Sequence, residues 1–128
     1  MEPNTHLGID PALCGAPAHL EPGKAAVRLT TLPTMAVDDR GLVHGGFVFG
    51  LADYAAMLAV NDPLVVLGAA EVRFLAPVAA GEALLAEAAV KEENGKKRQV
   101  AVTVRRGEQE VFTGAFTCFV LPRHVLDR

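Results

Sequence analysis

The pattern of hydrophobic and polar residues changes character at residue 61 of the chain. Residues 46–60 are apolar or small except for one carboxylate, Asp53. This stretch is too long for a typical strand and is rich in alanine, so it predicts a helix of about four turns. The Asn61-Asp62-Pro63 sequence that follows is a stop signal for a helix. Beyond it the apolar residues alternate with period two, which predicts strands.

Four strand-like segments follow the predicted helix and one precedes it. The Asn94-Gly95 and Arg106-Gly107 dipeptides are hairpin signals, so the last three strands are expected to run antiparallel. Residues 24–32 predict a strand that ends at Pro33. Residues 1–23 contain four prolines and predict an irregular lead-in, or a short helix around residues 10–14. The four later segments read VVLGAAEVRFLAP, ALLAEAAVKEE, KKRQVAVTVRR and EQEVFTGAFTCFVLP.

A single helix that is apolar on nearly every side has to be enclosed, because one apolar stripe would suffice if a face met water. The pattern therefore predicts an α+β fold in which an antiparallel sheet curls around one central helix. A second subunit would close what the sheet leaves open. This is the hotdog fold, and we expect it to occupy residues 24–128 as a single domain.

Composition narrows the possible partners. The formal net charge is −3 and the pI is about 5.8, which does not favour binding to nucleic acid. No apolar run is long enough to span a membrane and the N-terminus lacks a signal-peptide pattern, so a cytoplasmic protein is expected. Cys14 and Cys118 are far apart, with no histidine at ligand spacing. They predict small core residues rather than a disulfide or a metal site.

The start of the predicted helix is a candidate site for binding a carbonyl oxygen. Gly45 and Gly46 follow no Ser, Thr, Asp or Asn, so the first N–H groups of the helix are expected to lack a side-chain partner. Such groups can polarise a carbonyl oxygen, and Gly46 is the expected donor. A lone histidine before a glycine pair, as His44 is, is more often a turn residue than a catalyst.

Asp53 lies seven residues after Gly46, on nearly the same helix face. Its neighbours on the helix offer no polar partner, so a buried carboxylate here would have a raised pKa, a common mark of a functional site. The alternative is that Asp53 faces solvent or caps a loop of another element.

These residues resemble the motif of hotdog-fold acyl-CoA thioesterases of the phenylacetate-degradation (PaaI-like) type. His44-Gly45-Gly46 followed by Leu51-Ala52-Asp53 is similar to the family's H-G-G and its acidic residue nine positions after the histidine. The stretch VRFLAP at residues 72–77, followed by Gly81-Glu82, is similar to the family's strand after the helix. Together they cover roughly residues 24–121, nearly all of the predicted fold.

The resemblance implies roles for individual residues. Asp53 matches the nucleophile or general base, the N–H of Gly46 or Gly45 matches the group that polarises the thioester carbonyl, and His44 matches a residue that orients the thioester. The site is expected at the interface of a homodimer or a dimer of dimers, without metal or redox cofactor. Coenzyme A would enter as part of the substrate. Its pantetheine arm would run along Val72, Arg73 and Phe74, and the acyl group would lie against Tyr54 and Met57.

Two departures from the family pattern concern the site. Asp38 stands where many members have asparagine, and Leu67-Gly68-Ala69 stands where many have Ser or Thr opposite the carboxylate. Asp38 either faces solvent in its turn or enters the site, where its charge would raise the pKa of Asp53.

Two rival functions remain open. Asp39 and His44 have the spacing of a hotdog hydratase, but its Asn-Pro is Arg40-Gly41 here, and the turn typical of a dehydratase is absent. The other rival is a non-catalytic acyl-CoA-binding protein or sensor. The basic residues at 96–98 and 105–106 are expected to be solvated strand ends, with contact to coenzyme A phosphates as the alternative. His6, His19 and His124 are expected at the surface.

Overall fold

The structure is a computed structural model that describes residues 1–127, with a mixed α+β architecture. The helix and the five strands predicted from the pattern are all present, within one to three residues of their expected ends, and the hotdog arrangement is confirmed. None of the helices in the described part of the chain is long and apolar enough to cross a membrane. The elements are α1 (Pro11–Cys14), β1 (Ala16–Glu21), β2 (Lys24–Thr30), a 3-10 turn (Pro33–Met35), α2 (Gly45–Val60), β3 (Val65–Phe74), β4 (Ala83–Asn94), β5 (Lys97–Arg106) and β6 (Gln109–Val120).

Six strands form one antiparallel sheet in the order β1-β2-β4-β5-β6-β3. The predicted hairpins join β4 to β5 and β5 to β6, and Gly95 and Gly107 take the positive φ values, 61° and 60°, that such tight turns need. Within residues 1–127 β3 pairs only with β6, so it is an edge strand, and most of its residues are exposed or half-buried. The backbone groups on the outer side of β3 are therefore open to a further strand.

Helix α2 packs across the concave face of this sheet. Alternate residues of β2, β4 and β5 point toward it, and all of them are buried: Ala25, Val27, Leu29, Leu84, Ala86, Ala88, Val100, Val102 and Val104. The core is largely aliphatic, with Phe112 and Phe116 of β6 as its largest fully buried side chains.

The lead-in is more ordered than the sequence predicts. The short helix is present, with Asp10 as its N-cap accepting a hydrogen bond from the Ala12 N–H, but strand β1 was not predicted. Strand β1 contains Pro17 and is almost wholly exposed, so it carries no alternating apolar signal. It is held by backbone pairing with β2, which no pattern of side chains reveals.

Residues 1–9 form an arm that is tied to the end of α2. Asn61 ends the helix in a left-handed conformation, accepts a hydrogen bond from the Asn4 N–H at 2.7 Å, and donates one to the Glu2 carbonyl at 3.0 Å. The expectation that His6 lies at the surface is wrong, since it is half-buried with its ring 6.4 Å from that of Tyr54. Desolvation there lowers the pKa of His6.

Candidate active site

The start of α2 is capped by a residue that the capping rules do not favour. The Nδ1 of His44 accepts a hydrogen bond from the Gly46 N–H at 2.8 Å, so the prediction of an uncapped helix is wrong. The imidazole nitrogen does here what a Ser or Asp oxygen normally does. Because its N–H is already bonded within the chain, Gly46 is a poorer donor for a carbonyl oxygen than expected.

Gly45 is the better donor. Its N–H has no hydrogen-bond partner among residues 1–127, because the first N–H groups of a helix have no acceptor within the helix. The residue lines a cavity of about 350 Å³ whose other walls are apolar. The Phe74 ring lies so close to Gly45 that an added Cβ would be only 3.1 Å from its Cε1. The positive end of the helix dipole and a free N–H therefore meet at an apolar cavity.

Asp53 is a half-buried carboxylate in an otherwise apolar helix. Its Oδ1 is buried and has no hydrogen-bond partner among the described residues, while the residue as a whole is half-buried, so the expected lack of a partner is confirmed for this oxygen. Desolvation raises the pKa of Asp53 from 3.8 to about 6. Its negative charge adds to desolvation in raising the pKa of two free thiols, Cys14 of α1 and Cys118 of β6, the latter to about 12. A carboxyl with such a pKa can gain or lose a proton near neutral pH.

Gly45 and Asp53 do not form one site within a single protomer. They are eight residues apart on α2, which at 1.5 Å per residue is roughly 12 Å along the helix axis. A donor and a base that act on the same carbon must both come within about 3 Å of the reacting atoms. If both act in one reaction, they come from different copies of the chain.

The helix residues expected to meet an acyl group are largely covered. Met57 is one turn beyond Asp53 on the same face but is 1% exposed, and Tyr54 is 5% exposed. Tyr54 points to the side of the helix where His6 lies. The structure thus places both side chains inside the core of the protomer, although they are close to Asp53 in sequence.

On β3 the expected pantetheine contacts fall on opposite faces of the sheet. Phe74 lies on the face of α2, where its ring packs edge-on against Phe112 at 5.2 Å between centroids, and Val72 shares that face. Arg73 points the other way, across from Thr113, because successive side chains of a strand alternate. The structure therefore does not bring Arg73 to the cavity at Gly45.

The two departures from the family pattern have structural explanations. Asp38 accepts hydrogen bonds from the N–H groups of Arg40 and Leu42, at 3.0 and 3.1 Å, and so stabilises its own turn. Gly68 lies at a bulge of β3, where any Cβ would overlap the Phe119 ring. A Ser or Thr side chain at this point would meet that ring.

Several of the remaining charges form ion pairs at the surface of the sheet. Arg98 pairs with Glu93, Arg105 with Glu87 and Glu110, and Arg106 with Glu82. Within residues 1–127 no group of three His, Cys, Asp or Glu side chains could hold a metal ion. Of the two cysteines, Cys118 is buried as expected, whereas Cys14 is only partly covered.

Sequence reasoning missed most of the cavity wall at Gly45. Besides Gly45 and Phe74 the cavity is lined by Val43, Val48, Leu75, Ala76, Pro77, Val78 and Val111. These residues come from α2, from the loop before it, from the loop after β3, and from β6. They are ordinary apolar residues in sequence, so only folding shows that they share a wall.

Comparison with known proteins identifies the family. The model of the thioesterase superfamily matches residues 40–113, which include the start of α2, Asp53 and β3. The chain belongs to this superfamily. The protein PH1136 from Pyrococcus horikoshii is 54% identical, with a TM-score of 0.98 over 99% of this chain and 98% of that one. A single-residue mutant of the phenylacetic acid degradation protein PaaI from Thermus thermophilus is 29% identical, with a TM-score of 0.78 over 86% of this chain and 96% of that one.

Curated relatives are longer than this chain. A methylthioribose-1-phosphate isomerase of Aquifex aeolicus is 50% identical over 122 residues, which are 94% of this chain but 27% of that protein. The transcription factor FapR of Caldanaerobacter subterraneus is 30% identical over 126 residues, 97% of this chain and 62% of FapR. The chain thus spans about a quarter of the first relative and less than two thirds of the second.

Proposed function

We propose that the protein is an acyl-CoA thioesterase that hydrolyses a thioester to a free acid and coenzyme A. The observation that carries this proposal is the half-buried carboxylate of Asp53, whose Oδ1 has no partner among the described residues and whose pKa is raised to about 6. Burying this charge destabilises the folded protein, and a role as general base would explain why the carboxylate is there. Membership of the thioesterase superfamily and the likeness to PaaI support the same reaction class.

In the proposed reaction, the Gly45 N–H binds the thioester carbonyl oxygen at the start of α2. Asp53 takes a proton from a water molecule, which attacks the carbonyl carbon, and the negative charge that forms on the oxygen is stabilised by the Gly45 N–H and the helix dipole. Collapse of the intermediate breaks the carbon–sulfur bond, and the proton held by Asp53 goes to the departing sulfur. Direct attack by Asp53, with an anhydride intermediate, is the second route open to this carboxylate.

The reaction requires a homodimer, because about 12 Å separates Gly45 from Asp53 along one helix. The open edge of β3 is the natural place for a second copy to pair. Antiparallel pairing of two β3 strands would run the two α2 helices in opposite directions, so that the first turn of one faces the middle of the other. Phe74 and Leu75, 55% and 51% exposed, would then be covered. A dimer of such dimers is also part of the proposal.

The substrate would bind along the inner side of β3. The pantetheine arm would pass Val72 and Phe74 to reach the cavity at Gly45, while Arg73 on the outer face has no part in this path. His44 orients the first turn through its bond to the Gly46 N–H, and so positions the Gly45 N–H next to it. Tyr54 and Met57, which are buried in the core of the protomer, would have no direct contact with the acyl group.

The test is release of coenzyme A from a panel of acyl-CoAs, from acetyl through long-chain to phenylacetyl. Wild type should turn over, and Asp53→Asn should lose on the order of a hundredfold or more in kcat/KM. Asp39→Asn is the matched control, since Asp39 is exposed and is also the acid of the hydratase motif. Thiol release by Asp53→Asn equal to wild type, or loss of activity in Asp39→Asn instead, would contradict the proposal.

In a single turnover in labelled water, release of unlabelled acid would identify direct attack by Asp53. A water molecule activated by Asp53 places one labelled oxygen in the acid product. Direct attack transfers an unlabelled oxygen of Asp53 to the acyl group, so that water opening the anhydride at the Asp53 carbon leaves the acid without label.

A second function is favoured by the likeness to FapR, a transcription factor. This chain would then bind an acyl-CoA without hydrolysing it. Tight binding of an acyl-CoA that persists for hours with no thiol released, and that is unchanged in Asp53→Asn, would support the sensor over the enzyme. The isomerase activity is not proposed for this chain, because nearly three quarters of that relative lies outside the matched segment.

A further inference from the structure

Residues 1–15, which we call the strap, lie along α2 from its end to its middle. They precede the segment that matches the thioesterase superfamily, which begins at residue 40. At the end of the helix, Asn61 holds the backbone of the strap by two hydrogen bonds, at 2.7 and 3.0 Å. Further along, the ring of His6 lies 6.4 Å from that of Tyr54. Near the middle of the helix, α1 packs against α2.

Gly15 sets how closely α1 approaches α2. It follows α1 directly, is buried, and has a φ of 97°, a backbone conformation that favours glycine. A Cβ built on Gly15 would lie 3.0 Å from the Cδ1 of Leu51 in α2. It would also lie 2.8 Å from the Cγ1 of Val27 and 2.7 Å from the carbonyl oxygen of Arg28 in β2. A side chain at this position would therefore push α1 away from α2.

Asp53 lies between two contacts of the strap, since Leu51 precedes it by two residues and Tyr54 follows it by one. Thiols from two separate elements are close enough to feel its charge, Cys14 at the end of α1 and Cys118 of β6. Burial and, after it, the charge of Asp53 raise the pKa of both thiols. The strap and the sheet therefore both come near the carboxylate.

The groups around Asp53 exclude water without replacing it. Within residues 1–127 the buried polar or charged residues are Thr5 and Thr31, so the strands bring no buried charge to α2. Desolvation lowers the pKa of His6 and raises that of Tyr54, so both are uncharged at neutral pH. Desolvation is also the cause of the raised pKa of Asp53. A segment that covers Asp53 thus acts on it by keeping water away.

We propose that the strap excludes water from one side of Asp53 and that Gly15 is the positioning residue that holds it against α2. The effect on hydrolysis rests on the proposed thioesterase function. With the strap in place, the carboxylate is a stronger base at neutral pH than an exposed aspartate. Detachment of the strap would hydrate the carboxylate, stabilise its charged form and weaken it as a base.

The test is titration of the Asp53 carboxyl by carbon NMR in Gly15→Ala. The pKa of Asp53 should fall from about 6 toward 3.8, and the midpoint of the kcat/KM profile should fall with it. The expected change is on the order of a tenfold weaker hold on the proton. The matched control is Gly23→Ala, which has the same strain from a φ of 77° but whose added Cβ has its nearest atom, in Val90, at 4.0 Å. Gly8→Ala adds a methyl group into open space within the strap and should leave it attached.

A second measurement does not depend on the folding of Gly15→Ala. Cys14 is partly exposed, and its alkylation by iodoacetamide depends on the fraction of thiolate. Asp53→Asn removes a charge that raises the pKa of Cys14, so alkylation at pH 8 should be severalfold faster than in wild type. Asp39→Asn should react as wild type does. Peptide mass spectrometry separates Cys14 from the buried Cys118.

The proposal is overturned if Asp53 titrates in Gly15→Ala as it does in wild type, or if Cys14 reacts equally fast in Asp53→Asn and wild type. An equal fall in the pKa of Asp53 in Gly23→Ala would also overturn it, because general strain would then be the cause. Burial by a partner subunit is common to the variant and its controls. These measurements need no substrate, so absence of turnover refutes the enzyme, whereas an unchanged titration refutes the role of the strap.

Discussion

The burial of Asp53 predicts that replacing it with asparagine stabilises the protein at neutral pH but not in acid. A pKa of about 6 in the folded chain, against 3.8 for an ordinary aspartate, means that folding favours the protonated form. Below pH 3.8 the carboxyl is protonated in both states and carries no penalty. Above pH 6 it is charged in both states, and the folded state bears the full cost of the buried charge. The free energy of unfolding contributed by Asp53 therefore falls as the pH rises between these two values.

The size of the effect follows from the same two values. A rise from 3.8 to about 6 corresponds to roughly 3 kcal/mol, at about 1.36 kcal/mol per pKa unit. The asparagine side chain has nearly the shape of the protonated acid and stays neutral at every pH. Asp53→Asn should therefore gain up to about 3 kcal/mol over wild type at pH 8, on the order of 10 °C in melting temperature, and almost nothing at pH 4.

The assay is urea denaturation of wild type and Asp53→Asn at equal protein concentration, at steps between pH 4 and pH 8. The difference between the two proteins isolates Asp53, because the other titrating groups contribute equally to both. Asp39→Asn, which changes an exposed carboxylate, should show no such dependence. A difference between Asp53→Asn and wild type that is the same at all pH values, or that favours wild type at pH 8, would contradict a destabilising buried charge at Asp53.

Four further outcomes are expected. The kcat/KM for hydrolysis should fall about tenfold per pH unit below pH 6 and level off above it, since Asp53 must be ionised to accept a proton; a flat rate from pH 5 to 8 would contradict this role. His44→Ala should lower the free energy of unfolding by about 0.5–2 kcal/mol because the Gly46 N–H loses its cap, whereas His44→Asn should retain most of it, as urea denaturation can show. Gly68→Ala should cost about 1–3 kcal/mol by overlap with the Phe119 ring, and a cost no larger than that of Gly8→Ala would argue against this close contact. Asn61→Gly keeps the left-handed helix end but loses both side-chain bonds to the arm, so amide exchange at Asn4 should become faster while the melting temperature changes little.

The elements of the fold could be predicted because their signals are local. The apolar run of α2 and its stop at Asn61-Asp62-Pro63 set the helix, and two glycines at positive φ set the hairpins. Strand β1 escaped prediction because an exposed edge strand is held by backbone hydrogen bonds, which leave no trace in the pattern. His6 was misjudged for a related reason, since its partial burial comes from a contact with Tyr54 of α2, far along the chain.

Local sequence is enough to predict an acid within an apolar helix and a glycine turn at the start of that helix. Both statements need only the order of residues along a few turns. The folded structure is needed to see which N–H is free, because the orientation of the His44 ring, and with it the hydrogen bond from the Gly46 N–H, depends on folding. It also decided that Arg73 lies on the far side of the sheet, that Asp38 is occupied by its own turn, and that apolar residues of separate elements enclose one cavity at Gly45. These features depend on contacts between residues that are far apart in sequence and meet only when the chain folds.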